Sequence, residues 1–301
     1  MRFLSGRYVI TAIIVLVVLG VGAFAFISLR KQAPDVPPAP SAPVEQTSDP
    51  GPKHKVIGQS LEGREILSYS YGTGGKHLLF VGGIHGGYEW NSVLLAYQFM
   101  DYLEKDTGVI PGNLTVTVIP SANPDGVYKV IGKEGRFTLA DAPTSKEVAA
   151  PGRFNARGVD LNRNFDCKWQ PKSTWQAKTV SAGSEPFSEP EAKAIRDFVL
   201  ENKPAAAIFW HSQSNAVYAS ECEAGILPGT LNIMNAYARA SGYPAVKSFD
   251  SYEITGDAEG WLASIGIPAI TVELQTHATV EWERNLAGVK ALFGYYGQKE
   301  N

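Results

Sequence analysis

The chain has 301 residues, of which 44% are hydrophobic and 19% are charged. This composition excludes wholesale disorder and collagen-like repeats. The 27 basic and 30 acidic residues nearly balance, which argues against a nucleic-acid partner because such a protein needs a basic face. With only 2 cysteines, neither a disulfide scaffold nor a structural zinc cluster is expected.

An uncharged apolar segment at residues 8–29 follows a short tail of residues 1–7. At 1.5 Å per residue it would form a helix of about 33 Å, enough to cross the hydrocarbon core of a bilayer. We therefore expect a membrane anchor, with the rest of the chain outside the cytoplasm. The alternative is a signal peptide cleaved near Ala23 and Ala25, which would give a secreted protein.

A proline-rich segment comes next, at residues 30–53, and it contains no aromatic residue. Such a composition cannot bury a core and is typical of an extended spacer. Residues 54–301 remain, and we expect them to form a single catalytic domain.

Short apolar runs alternate with helical stretches in this domain, the pattern of an α/β fold. Strands are predicted at residues 77–81, 114–120, 205–210 and 268–272. Helices are predicted at 91–104 and 281–296, and a third is predicted to begin with Ser188 as N-cap and Pro190 in its first turn.

Polar groups follow the carboxyl ends of the predicted strands, including His85, Glu89, His211 and Glu273. Open α/β sheets build their sites at that edge. Two imidazoles and one carboxylate are a common ligand set of catalytic zinc. Taken alone, His85 is better explained as a hydrogen-bonded core histidine, and Glu89 as a solvated acid at a helix start. Their joint occurrence with His211 favours a metal site.

Several ordered motifs carry a family resemblance across residues 55–300. They are residues 57–66 (IGQSLEGREI), 83–89, 123–126 (NPDG), 158–165 (GVDLNRNF), 186–191 (PFSEPE), 210–212 (WHS) and 271–274 (TVEL). In this order they resemble the zinc metallocarboxypeptidases related to carboxypeptidase A. The resemblance implies a mixed, mostly parallel twisted sheet flanked by helices, and one Zn²⁺ per chain.

The same resemblance implies roles for individual residues. His85, Glu89 and His211 would hold the zinc, and Glu273 would act as general base. Arg153 would stabilise the oxyanion, with Arg157 as the alternative.

The resemblance also implies how a substrate is gripped. Asn162 and Arg163 would bind the terminal carboxylate of a peptide, because the planar fork of arginine matches a carboxylate. Tyr252 would close over the substrate. Glu259 would lie at the base of the side-chain pocket and favour a cationic C-terminal residue; the alternative is an exposed loop acid.

One departure from the family concerns the first ligand pair. The family spaces its histidine and glutamate as H-x-x-E, whereas three residues separate His85 from Glu89 here. We expect the pair Gly86 and Gly87 to absorb the extra residue.

The two cysteines, Cys167 and Cys222, are expected to border the same cleft. In a domain exported from the cytoplasm they would then form a disulfide.

The leading hypothesis is a zinc metallocarboxypeptidase that hydrolyses the C-terminal bond of peptides, with cell-wall stem peptides among its candidate substrates. One alternative is a zinc deacylase of the succinylglutamate desuccinylase and aspartoacylase type. Another is a wall-binding module without catalysis. The expected partners are a peptide with a free C-terminal carboxylate and, through the N-terminal helix, a membrane.

Overall fold

The structure is a computed structural model, and it describes residues 52–298. The anchor predicted at residues 8–29 and most of the spacer predicted at 30–53 lie outside the described residues. Among residues 52–298, no helix is both long and apolar enough to cross a membrane. The first strand begins at Lys53, one residue before the predicted start of the domain.

Residues 52–298 contain twelve strands and seven α-helices, which are numbered in chain order. The strands β1–β12 are Lys53–Gln59, Glu65–Gly72, Lys76–Val81, Leu114–Ile119, Lys172–Trp175, Lys178–Ser181, Ala206–Ser212, Ala216–Ala219, Glu221–Cys222, Gly225–Ile226, Ala245–Val246 and Ala269–Leu274. The helices α1–α7 are Trp90–Lys105, Pro124–Ile131, Lys146–Ala149, Pro190–Asn202, Pro228–Ser241, Ala258–Ser264 and Trp282–Gly297.

Eight of the strands form one mixed sheet in the order β1-β2-β4-β3-β7-β12-β8-β11. Its centre is parallel, since β3 pairs in parallel with β4 and β7, and β7 pairs in parallel with β12. The outer pairs β1–β2, β2–β4 and β8–β12 are antiparallel, and β8–β11 is parallel. The predicted α/β fold, a mixed sheet flanked by helices, is therefore confirmed.

The central strands are mostly apolar because both of their faces are covered. On one face, Phe80 and Trp210 pack with Phe99 of α1. On the other face, Phe209 belongs to a second apolar cluster that also contains Trp261 of α6. Side chains alternate along a strand, so the polar residues that follow on this second face emerge beside α6.

Two predicted strands end later than the sequence indicated. Strand β7 includes His211, and β12 includes Glu273, because backbone pairing continues with these two residues directly opposite each other. His211 and Glu273 therefore lie on rigid strand ends rather than in the loops that follow.

The predicted start of the third helix was wrong by one residue. Glu189, with an extended backbone at φ −86°, is the N-cap of α4. The hydroxyl of Ser188 instead donates to Glu189 Oε1, and it accepts from the side-chain amide of Asn164. The helices predicted at 91–104 and 281–296 are confirmed as α1 and α7, each within one residue.

Cys167 and Cys222 form a disulfide, as expected from the sequence. It ties the loop that follows residues 158–165 to β9, across 55 residues of chain. Cross-linking a loop of this length restricts the unfolded chain and stabilises the fold by about 2–5 kcal/mol.

Replacing both cysteines, as Cys167→Ser with Cys222→Ser, is expected to lower the free energy of unfolding by about 2–5 kcal/mol. Urea unfolding of the purified protein under non-reducing conditions measures this change. Wild-type protein treated with a reductant is the control and should match the double variant. A double variant as stable as the oxidised wild type would contradict the stabilising role.

Candidate active site

A tight turn after β3 brings His85 and Glu89 together. Residues Gly86–Glu89 form one turn of 3-10 helix, and His85 Nδ1 lies 2.8 Å from Glu89 Oε1. Gly86 has φ +47°, and a Cβ there would lie 2.4 Å from the carbonyl oxygen of Gly152. A Cβ on Gly87 would lie 2.7 Å from the carbonyl oxygen of Gly126. The glycine pair thus accommodates the longer spacing, as expected.

The third candidate ligand reaches the same point from the end of β7. His211 Nδ1 lies 3.2 Å from His85 Nδ1 and 3.1 Å from Glu89 Oε2. All three side chains are at most 5% exposed. Tetrahedral zinc with bonds of about 2.0–2.1 Å separates its ligand atoms by roughly 3.3 Å, close to these distances.

One oxygen of Glu89 shows that this cluster suits a cation. Within the part of the chain that the structure describes, Glu89 Oε2 is buried and has no hydrogen-bond partner. Burial alone would raise the pKa of Glu89, but His85 and His211 hold it well below its usual range. An ionised, buried carboxylate between two imidazole nitrogens has the geometry and the charge of a zinc site, so the residues present fit the metal.

A second carboxylate, that of Asp160, lies near the other ring nitrogen of His85. Its Oδ1 lies 3.4 Å from His85 Nε2, and its Oδ2 accepts from Arg153 Nε at 2.9 Å. Burial would raise the pKa of Asp160, but Arg153 and His85 hold it below its usual range. Asp160 belongs to the sequence motif GVDLNRNF, but no role was predicted for it. Its position two residues before Asn162 was the only feature of the sequence that could have indicated one.

Glu273 lies beside the three candidate ligands because β12 pairs with β7 at His211. Its Oε2 accepts from the backbone N–H of Ser214 at 3.2 Å. Burial and the nearby carboxylate of Glu89 raise the pKa of Glu273 to about 7.

The structure separates the two candidate arginines. Arg153 is 3% exposed, its guanidinium bonds Asp160, and it lies 4.5 Å from the ring of Trp175. The side chain of Arg157 is 52% exposed and donates to Glu189 at 3.2 Å. Of the two arginines, Arg153 is therefore the one that lies next to the candidate metal ligands.

Asn162 and Arg163 lie in a 3-10 turn at Leu161–Arg163. Asn162 Oδ1 accepts from the backbone N–H of Ala258, which ties the turn to the start of α6. Arg163 donates from one terminal nitrogen to Asn162 O at 2.6 Å and from the other to Thr174 O at 3.1 Å. Each terminal nitrogen carries two N–H groups, so the fork keeps donors for a ligand.

Glu259 is 2% exposed, so the alternative of an exposed loop acid is wrong. Its Oε1 lies 3.0 Å from His211 Nε2 and accepts from the hydroxyl of Thr271 at 2.9 Å. Asp257 is the N-cap of the same helix, and burial together with Glu259 raises its pKa to about 6. Tyr252 packs against Phe249, with the ring centroids 4.8 Å apart.

Most of these side chains line one cavity of about 550 Å³, but Asp160 and Arg157 are not part of its wall. The nine site residues predicted from the sequence that lie on its wall are His85, Glu89, Arg153, Asn162, Arg163, His211, Tyr252, Glu259 and Glu273. Tyr88, Trp175 and Asp257 also line it, and none of them carried a predicted role. Three candidate metal ligands, an acid beside them and buried arginines in one cavity suit hydrolysis of a polar bond.

Comparison with known proteins agrees with this geometry. The profile of the family described as zinc carboxypeptidase (Peptidase_M14) matches residues 46–280. The γ-D-glutamyl-L-diamino acid endopeptidase 1 of Lysinibacillus sphaericus is 27% identical over 252 residues, which cover 76% of this chain and 62% of that enzyme. The chain thus matches less than two thirds of that relative's length.

Two solved structures share the fold. The murein-tripeptide amidase MpaA of Escherichia coli O157 aligns with a TM-score of 0.57 and 21% identity, covering 83% of this chain and 94% of that one. The carboxypeptidase A of Helicoverpa armigera aligns with a TM-score of 0.62 and 21% identity, covering 82% of this chain and 67% of that one.

The close turn at Gly86 yields a prediction. Gly86→Ala is expected to lower the free energy of unfolding by about 1–3 kcal/mol and to reduce bound zinc, because the left-handed backbone and the carbonyl of Gly152 leave no room for a methyl group. Urea unfolding and elemental analysis measure the two effects. Gly112→Ala, at a glycine whose added Cβ would meet no atom within 4 Å, is the matched control. Equal zinc content and stability in both variants would contradict the prediction.

Proposed function

The chain belongs to the zinc carboxypeptidase family, and on that premise we propose that it is a zinc-dependent peptidase that removes the C-terminal residue of peptides. The observation that carries the proposal is the cavity in which three ligand atoms, an adjacent acid and two buried arginines converge. We expect one Zn²⁺ per chain, held by His85, Glu89 and His211. When bound, zinc would polarise the scissile carbonyl and make a water more acidic.

Glu273 is proposed as the general base. It lies opposite His211 in the sheet and on the wall of the cavity, and the backbone of Ser214 holds one of its oxygens. The carboxylate would take a proton from the attacking water and deliver it to the leaving amine.

Arg153 is proposed to stabilise the negative charge that develops on the carbonyl oxygen. Its guanidinium is fixed along one edge by Asp160, and it packs near Trp175. A buried donor held rigidly in this way needs no reorganisation when charge appears.

Asn162 and Arg163 are proposed to bind the terminal carboxylate of the substrate. Backbone carbonyls orient the guanidinium of Arg163 without using all of its N–H groups. Tyr252, on the partly exposed rim of the cavity, would cover the bound residue.

Two acids, the partly buried Asp257 and the buried Glu259, line the part of the cavity that would receive the C-terminal side chain. They favour a cationic side chain, because a buried carboxylate is most stable beside an opposite charge. The L. sphaericus relative is named for a diamino acid, and the E. coli structure for a murein tripeptide. We therefore propose cell-wall peptides that end in a diamino acid as the preferred substrate class.

The cellular location is proposed from the segment at residues 8–29. It would anchor the enzyme in a membrane with the catalytic domain outside the cytoplasm, or be cleaved to give a secreted protein. The disulfide between Cys167 and Cys222 supports an oxidising compartment.

The function is tested with purified full-length protein and peptides that differ in their last residue. Mass spectrometry should show release of single C-terminal residues, faster from peptides ending in lysine or a γ-D-glutamyl-linked diamino acid than in leucine. Peptides whose C-terminal carboxylate is replaced by an amide should be cut poorly. Glu273→Gln is the control variant, expected to keep zinc and lose about 10²–10⁴-fold in turnover.

Several outcomes would contradict this account. Equal cleavage of amidated peptides would indicate an endopeptidase, and release of an acyl group from acylamino acids alone would favour the deacylase. A zinc-loaded protein that cuts no peptide would favour a binding module. Full activity of Glu273→Gln would remove that residue from the mechanism.

A further inference from the structure

A role in the side-chain pocket does not explain why Glu259 contacts His211. Glu259 lies in the first turn of α6, and His211 lies at the end of β7, 48 residues earlier in the chain. The helix is held in place by the backbone N–H of Ala258, which donates to Asn162, and by Asp257, which caps it. The short distance between the carboxylate and the imidazole is therefore set by fixed elements.

The two nitrogens of the His211 ring face different partners. Nδ1 points towards His85 and Glu89, and Nε2 lies 3.0 Å from Glu259 Oε1. The ring is 2% exposed, so water is not an adequate substitute for either partner. With Nε2 as the donor to Glu259, Nδ1 carries the free lone pair that a metal needs.

We propose that Glu259 is a positioning residue for the metal centre: its carboxylate fixes the ring orientation and the tautomer of His211. Asp160 Oδ1 lies 3.4 Å from His85 Nε2, so each candidate histidine ligand has a buried carboxylate near its second ring nitrogen, although only the contact of His211 is a hydrogen bond. Metal-binding histidines generally donate their second N–H to such a partner, and loss of the partner weakens metal affinity by about 10–100-fold.

The second carboxylate oxygen of Glu259 is a buried acceptor that His211 and Thr271 leave unused. Oε1 is engaged by His211 and Thr271, whereas Oε2 has no hydrogen-bond partner among residues 52–298, and the residue lines the cavity. A cationic substrate group bound at Oε2 would touch the carboxylate that orients a zinc ligand. This extends the proposed function, because side-chain recognition and the metal centre then share one residue.

The test is zinc affinity, measured on the full-length protein by competition with a chromophoric chelator and without any substrate. Glu259→Ala should bind zinc about 10–100-fold more weakly than wild type. Glu259→Gln should fall between the two, since its amide oxygen still accepts from Nε2. The matched control is Asp257→Asn, because Asp257 lies at the start of the same helix and asparagine can also cap it. The zinc affinity of this variant should stay within about twofold of the wild-type value.

Two further measurements keep the test decisive. Visible absorption of the Co²⁺-substituted protein reports ligand geometry and should change in Glu259→Ala but not in Asp257→Asn. Thr271→Val removes only the hydroxyl that donates to Glu259, and it should weaken zinc binding severalfold. This variant replaces Glu259→Ala in the test if Glu259→Ala does not fold. Wild-type zinc affinity and cobalt spectrum in folded Glu259 variants would overturn the proposal, even if their peptide preference changed. Because no substrate is involved, this result is independent of whether the proposed peptidase activity is found.

Discussion

The arrangement of the site depends on one buried anion, the carboxylate of Glu89. A carboxylate that is 2% exposed is costly to keep ionised unless opposite charge or polar groups surround it. Here His85 and His211 approach it, and an oxygen without a hydrogen-bond partner among residues 52–298 remains for a cation. Asp160 and Glu259 flank the two imidazoles, and Arg153 compensates the charge of Asp160. Without a cation, this set would leave several buried charges poorly balanced.

The mixed sheet supplies these groups from distant parts of the chain. Parallel pairing of β7 with β12 places His211 opposite Glu273, and the turn after β3 delivers His85 and Glu89 to the same edge. Helix α6 covers the second face of the sheet and carries Glu259 to the ring of His211. The disulfide links Cys167, on the cavity wall, to Cys222 of β9. Ligands held by rigid elements keep their geometry better than ligands held in loops.

Much of this was predictable from residue patterns. The apolar runs of the central strands stand out because both of their faces are buried, and His85, Glu89 and His211 follow such runs or end them. The strand ends were placed too early, since hydrophobicity stops at Trp210 whereas backbone pairing continues through His211. The partnership of Glu259 with His211 could not be predicted, because it depends on how α6 packs against the sheet. Asp160 was visible in its motif, but its contact with His85 likewise exists only in three dimensions.

Anomalous X-ray diffraction from crystals of the protein, recorded on both sides of the zinc absorption edge, would show whether and where the metal binds. We expect one zinc peak per chain, bound by His85 Nδ1, Glu89 and His211 Nδ1, with His211 Nε2 still bonded to Glu259. A peak elsewhere, a different set of ligands, or no peak in crystals grown with zinc would contradict this expectation.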